Sequence, residues 1–181
     1  NTQPSIGLAA SGTGTIPAFT AVNTGTAPVV ATITITPSYS NGGTTCLGTP
    51  LSFTITVNPT GQVNQPSNVS VCNDITSSSV TFSTNNTGGA TTYSWVNSDP
   101  SIGLAASGTG NIASFTALNS TAAPITATIT VTPSYTNGGV TCTGTPRTFT
   151  ITVNPTPTAT LANPGTSVIC QGSSVTLTAS G

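Results

Sequence analysis

The chain repeats itself at a spacing of 96 residues. Positions 5–59 lie on positions 101–155 with 40 identities in 55 and no gap, about 73%. The replacements are mild: Val22 answers Leu118, Val29 answers Ile125 and Ile35 answers Val131. Such a period is too long for a β-helix or a leucine-rich coil, and it is the size of one β-sandwich of roughly 100 residues. Both copies end in FTITVNP, at 53–59 and 149–155. The connectors that follow, PTGQVNQPSN and PTPTATLANP, read as Pro-rich links between domains. Three units are therefore expected. Residues 1–60 are the C-terminal part of a first β-sandwich repeat, about 36 residues short of the 96-residue period. Residues 61–157 are a complete repeat, and 158–181 are the N-terminal part of a third. The 181 residues are expected to be a piece of a longer tandem array.

The most exact part of the repeat is SIGLAASGTG, at 5–14 and again at 101–110. Its glycines begin like a phosphate-cradling loop. A P-loop, however, needs Lys and then Ser or Thr after its second glycine. Thr13 and Gly14 follow Gly12, Thr109 and Gly110 follow Gly108, and the chain has no lysine. The dinucleotide pattern fails too, because Pro17 and Ala113 stand where its third glycine belongs. The motif reads as a strand-to-strand turn in which glycine supplies φ > 0.

Composition narrows the chemistry. Arg147 is the one base, Asp74 and Asp99 are the two acids, and His, Lys, Glu and Met are absent. Thr, which favours strands over helices, fills 41 of 181 positions, and 19 Gly and 14 Pro punctuate the chain. This is the composition of an all-β protein with many turns. General acid–base catalysis draws mostly on His, carboxylates, Lys, Tyr or Cys, and no Ser-His-Asp or Cys-His set can be assembled without His. The expectation is no enzyme, no catalytic residue, no cofactor and no metal. Asp74 and Asp99 are too few for a carboxylate-rich calcium site, and Gln3 stands where Asp99 repeats. The four cysteines are too far apart for a zinc site. One arginine makes no nucleic-acid footprint, and no apolar run approaches a membrane span.

The complete repeat is expected to carry about seven strands, at 68–72, 79–84, 92–96, 102–106, 112–118, 125–132 and 147–154. Turns are expected at NNTGG (85–89) and TNGG (136–139). Alternation places Ile129 and Val131, and Phe149, Ile151 and Val153, on an inward face, with threonines outward. Tyr93 and Trp95 share one face of TYSWV and are expected in the core.

The cysteines alternate early and late in each unit: Cys46 and Cys142 are repeat mates, and Cys72 and Cys170 sit early. The pairings open to them are Cys72 with Cys142, or Cys46 with Cys72 and Cys142 with Cys170; buried free thiols are the third arrangement. In a seven-strand sandwich the start of the first strand and the loop before the last share a pole. That favours a Cys72–Cys142 disulfide, with Cys46 and Cys170 paired outside these residues. Oxidised cysteines imply a compartment outside the cytosol.

The runs YSWVNSDPSIGLAASGTGNIASFTALN and ATITVTPSYTNGGVTCTGTPRTFTITVNP resemble the PKD-like, immunoglobulin-like tandem repeats of Bacteroidetes cell-surface adhesins, such as the gliding-motility adhesin SprB. The resemblance covers the complete repeat and the partial first one; TATLANPGTSVICQGSSVTLTASG resembles the start of a related subtype. It implies tandem β-sandwiches in a very large filament, exported by the type IX secretion system and displayed on the cell surface. Its partners would be neighbouring repeats, the outer-membrane translocon and the motility machinery. The acidic WDFGDG-like turn of PKD domains is missing after Trp95, and with it any ligand role tied to that turn. Two further readings stand beside the adhesin. One is a passive stalk, including that of an extracellular enzyme. The other is a module that binds surface polysaccharide through loop residues Asn97, Asp99, Tyr135 and Asn137. Ice binding through rows such as Thr32, Thr34, Thr36 and Thr128, Thr130, Thr132 lacks the short-period coil that would make them a flat array.

Overall fold

A computed structural model describes residues 1–162, 168–176 and 178–180. The protein is all-β. Its helical turns, among the described residues, are two three-residue 3₁₀ turns, Pro4–Ile6 and Pro100–Ile102. The strands are β1 (Val29–Ile35), β2 (Ser38–Asn41), β3 (Thr44–Leu47), β4 (Leu51–Val57), β5 (Val69–Cys72), β6 (Ala90–Asn97), β7 (Ser107–Thr109), β8 (Ile125–Asn137), β9 (Val140–Thr143), β10 (Arg147–Asn154), β11 (Thr160–Ala162) and β12 (Thr178–Ser180).

The central sheet has six strands in the order β5-β10-β8-β6-β7, with β9 folding back on β8. β5 runs parallel to β10, and the other pairings are antiparallel. Alternation in TATITVT and TFTITVN does the positioning. Ala127, Ile129, Val131, Phe149, Ile151 and Val153 face a buried layer, while outward hydroxyls pair across strands, as Thr126 with Thr152 at 3.0 Å and Thr136 with Thr141 at 2.9 Å. Trp95 and Phe82 join that layer, and Tyr93 packs partly buried against Phe82 with ring centroids 5.4 Å apart.

The opposing layer departs from the expected strands. Residues 79–84 and 112–118 form no strands; they are held by isolated bridges, Val80 to Ile112 and Thr76 to Thr116. Side chains take two of the places that a continuous ladder would fill, beside backbone bonds such as Val80 N–H to Ile112 O and its return. Asn111 Oδ1 accepts from the Phe82 amide at 2.9 Å, and Ser77 Oγ accepts from the Phe115 amide at 3.1 Å. The piece 102–106 is not extended. It begins in the 3₁₀ turn, which Asp99 caps by accepting from the Ser101 amide at 3.1 Å and which Gly103 closes with φ 89°.

The first repeat copy builds a smaller body: β1 pairs with β4, β2 pairs with β3, and Ile6, Leu8, Ala31, Ile33 and Val57 form its buried cluster. In the third stretch, 158–181, β11 pairs with β12, and residues 163–167, 177 and 181 lie outside the described residues.

The Cys72–Cys142 disulfide is not formed, and the thiols of Cys46, Cys72, Cys142 and Cys170 are free. Parallel pairing is the reason. Val69, at the start of β5, lies beside Ile151, so Cys72, at the strand's end, lies beside Asn154. Cys142 pairs with Tyr135, beyond the Arg147 end of β10. The two cysteines thus stand at opposite ends of β10, whose eight residues span about 26 Å. The pole argument fails because Cys72 is the last residue of β5, three beyond Val69, at the Asn154 end of β10.

Candidate functional site

The titratable groups do structural work. Asp99 caps its 3₁₀ turn and accepts from Ser101 Oγ at 2.6 Å, while Asp74, at φ 62°, accepts from Asn73 Nδ2 at 2.9 Å. Arg147 lines an open groove with residues 60–65. Burial pushes the Tyr93 phenol above its ordinary value, against a lowering by its hydrogen bond with Thr84. Among the described residues no three His, Cys, Asp or Glu side chains gather, and no helix is long and apolar enough to cross a membrane.

The four residues considered for sugar binding do not form one exposed platform. Tyr135 is fully buried and Asn97 is buried. Asn97 Nδ2 donates to Leu104 O at 3.0 Å and to Ala105 O at 3.3 Å, while its Oδ1 accepts from the Asp99 amide. Asn1, 96 residues earlier, makes the same set with Leu8, Ala9 and Gln3. Asn137 is engaged elsewhere.

Its partner, Asn58, belongs to a polar constellation at the joint between the two repeat copies. Asn58, at the end of the first copy, donates through Nδ2 to Asn137 O at 2.9 Å, and Asn137 Nδ2 returns a bond to Asn58 Oδ1 at 3.0 Å. Asn86 donates to Thr26 O at 3.4 Å and Thr60 O at 3.2 Å, and accepts from the Gln62 amide at 2.7 Å. The Thr87 amide also donates to Thr26 O, at 2.9 Å. Tyr135 OH donates to Thr87 O at 2.9 Å, and its ring lies under Gly89, where a Cβ would stand 2.5 Å from the ring.

The connector is packed rather than solvated. Pro59 is fully buried and Val63 belongs to the main core. The Gly61 amide donates to Cys142 O at 3.2 Å, and Gly61 passes so close to Gly144 that a Cβ on Gly144 would stand 1.6 Å from Gly61 O. The second copy exits differently, because Pro157 occupies the repeat position of Gly61 and has no amide hydrogen to donate.

The sequence offers Asn97 and Asn137 as sugar-binding loop residues and places Asn86 in a turn; it assigns Asn58 no role. The usable signal was that Asn1, Asn23, Asn41 and Asn58 all recur 96 residues later, as Asn97, Asn119, Asn137 and Asn154. No protein-family model matches this chain, and no curated protein matches it either.

Proposed function

We propose that the chain is a structural and adhesive repeat segment of a very large secreted cell-surface filament protein, of the kind that the type IX secretion system exports as gliding-motility or surface adhesins. Its units are read as immunoglobulin-like, PKD-like sandwiches of about seven strands, with boundaries near 60 and 157. The observation that carries this reading is the joint. Two near-identical copies are held end to end by neutral hydrogen bonds and close backbone contacts, with no charged pair among them. Such a joint transmits tension along a chain without depending on ionic strength, because salt screens charges and leaves amide pairs nearly untouched. The same scarcity of charge keeps a long array from repelling itself, and the exposed Thr, Ser and Asn supply hydration instead.

Antibodies raised against residues 61–157 test the location. They are expected to label intact, unpermeabilised cells along extended surface structures. Labelling that needs permeabilisation would overturn the proposal. Labelling that co-localises with a secreted hydrolase activity would move it to the stalk of an extracellular enzyme.

A further inference from the structure

The Asn58–Asn137 pair at the joint is reciprocal in its hydrogen bonds and unequal in its chemistry. Asn58 Nδ2 donates to Asn137 O at 2.9 Å, and Asn137 Nδ2 donates to Asn58 Oδ1 at 3.0 Å. The residue after each asparagine decides what its side chain can become. An asparagine is attacked at Cγ by the backbone nitrogen of the next residue, which gives up its proton in doing so. Pro59 follows Asn58 and has no such proton, so Asn58 is closed to the reaction. Gly138 follows Asn137; it has the proton and no side chain in the way. Asn-Gly occurs at 41–42 and at 137–138, and the second of these lies against the joint.

The hairpin between β8 and β9 leaves the Gly138 nitrogen open. Asn137 pairs with Val140, so Gly138 and Gly139, at φ 58° and 76°, form a two-residue turn that needs positive φ at both positions. Gly138 is exposed, and among the described residues its amide has no backbone acceptor. A Cβ placed on it would meet nothing within 4 Å. The restraint lies in the side chain. Asn137 is half-buried, and its bond to Asn58 ties the carboxamide to the neighbouring copy, whereas attack needs that group free to turn onto the Gly138 nitrogen.

We infer that Asn137–Gly138 is a self-modification site that releases the joint irreversibly. The Gly138 nitrogen bonds to Asn137 Cγ, the Cγ–Nδ2 bond breaks, and Nδ2 leaves as ammonia with the amide proton. Water then opens the cyclic imide to aspartate, or to isoaspartate, in which the main chain runs through the former side chain. No oxidant or reductant takes part. Either product loses Nδ2, the donor that meets Asn58 Oδ1. In aspartate a carboxylate oxygen takes its place, acceptor against acceptor, which costs more than the lost bond alone. Turning the Asn58 amide over only moves the clash, because Oδ1 then meets the Asn137 carbonyl. Isoaspartate adds a main-chain atom to the turn. The joint therefore slows the reaction, and the reaction opens the joint, wherever the chain is displayed.

The test ages the whole 181-residue chain at mildly alkaline pH and reads position 137 by peptide mapping with mass spectrometry. Conversion is expected to be roughly fivefold slower than in a synthetic peptide of residues 133–141, the factor that one hydrogen bond supplies. Asn58→Ala is expected to recover most of that factor. In solution X-ray scattering the maximum dimension is expected to rise in step with the converted fraction. Asn137→Gln, which keeps an amide and closes an imide ring far more slowly, is expected to hold its own starting profile through the same ageing. Fresh Asn137→Asp is expected to open the joint further than Asn137→Ala, because it adds an opposing acceptor where alanine only removes a donor. Four results would overturn the proposal: a chain that converts as fast as the peptide, an Asn58→Ala chain that converts no faster than the unaltered one, complete conversion with unchanged scattering, or Asn137→Asp no more open than Asn137→Ala.

Discussion

Trp95 and Gly108 are one contact seen from two sides. The indole can lie flat on the chain because position 108 has no side chain, and the tight 3₁₀ turn before it brings β7 under β6 in register. Gly108→Val is therefore expected to destabilise the chain by roughly 1–3 kcal/mol, the cost of overpacking a filled core. Urea unfolding followed by Trp95, the sole tryptophan, measures it. Gly12→Val, at the open equivalent position, is expected to shift the same midpoint by less than about 0.5 kcal/mol. Tyr93 carries a second prediction at this scale. Burial raises its phenol above 10.0, so the fold favours the protonated form. The sign follows from linkage: this contribution is complete below the unfolded value and is lost as pH rises through the higher folded one. Stability is expected to fall on the alkaline side of pH 10, and Tyr93→Phe is expected to flatten that limb of the urea midpoint against pH.

Strands here are positioned by asparagines as much as by alternation. Asn119 is buried, donates to Ala123 O at 2.9 Å and Val153 O at 2.7 Å, and accepts from the Thr121 amide, so it pins the loop before β8 to the end of β10. Asn23 does the same for β1 and β4 through Ala27 O and Val57 O. Asn119→Ala removes the two donors and the acceptor that tie the loop to β10 and is expected to cost roughly 1–3 kcal/mol, read as a lower urea midpoint; Asn119→Asp, which loses the donors, is expected to cost at least as much. These clamps explain what the sequence reveals and what it hides. β8 and β10 are legible because a half-buried strand must alternate, and the inward residues Ile129, Val131, Phe149, Ile151 and Val153 follow from that period alone. The layer 75–84 and 112–118 is not legible as it stands. Its backbone pairing is reduced to scattered bonds around two isolated bridges, and the Phe82 and Phe115 amides go to the Asn111 and Ser77 side chains, which no period records. The misplaced cysteine pair has a different origin. The shared-pole premise implies the parallel β5–β10 pair that is observed, but Cys72 is the last residue of β5 and is carried to the far end of β10.

At the scale of the whole molecule the question is what holds consecutive copies in line. The free thiols, at opposite ends of β10, contribute no covalent staple across the second copy, so its unfolding midpoint is expected to be the same with and without reductant. The first joint depends instead on close approach at Gly61 and Gly144 and on the Asn58–Asn137 pair. After the second copy the chain reads NPTPTA where the first reads NPTGQV, so the two exits are built for different geometries. Gly61→Pro, which writes the second exit into the first, removes the amide that donates to Cys142 O and adds ring atoms where Gly61 already crowds Pro133 and Gly144. The core of the second copy loses only the seating of Val63, so the Trp95 unfolding midpoint is expected to move little. The joint is expected to open, with solution X-ray scattering showing a larger maximum dimension and amide relaxation showing residues 29–57 tumbling independently of 90–154. Asn137→Ala is expected to act in the same direction more weakly, since it removes one side chain of the pair and leaves the glycine contact in place. An unchanged scattering profile for Gly61→Pro would mean that the copies are aligned by something other than this joint.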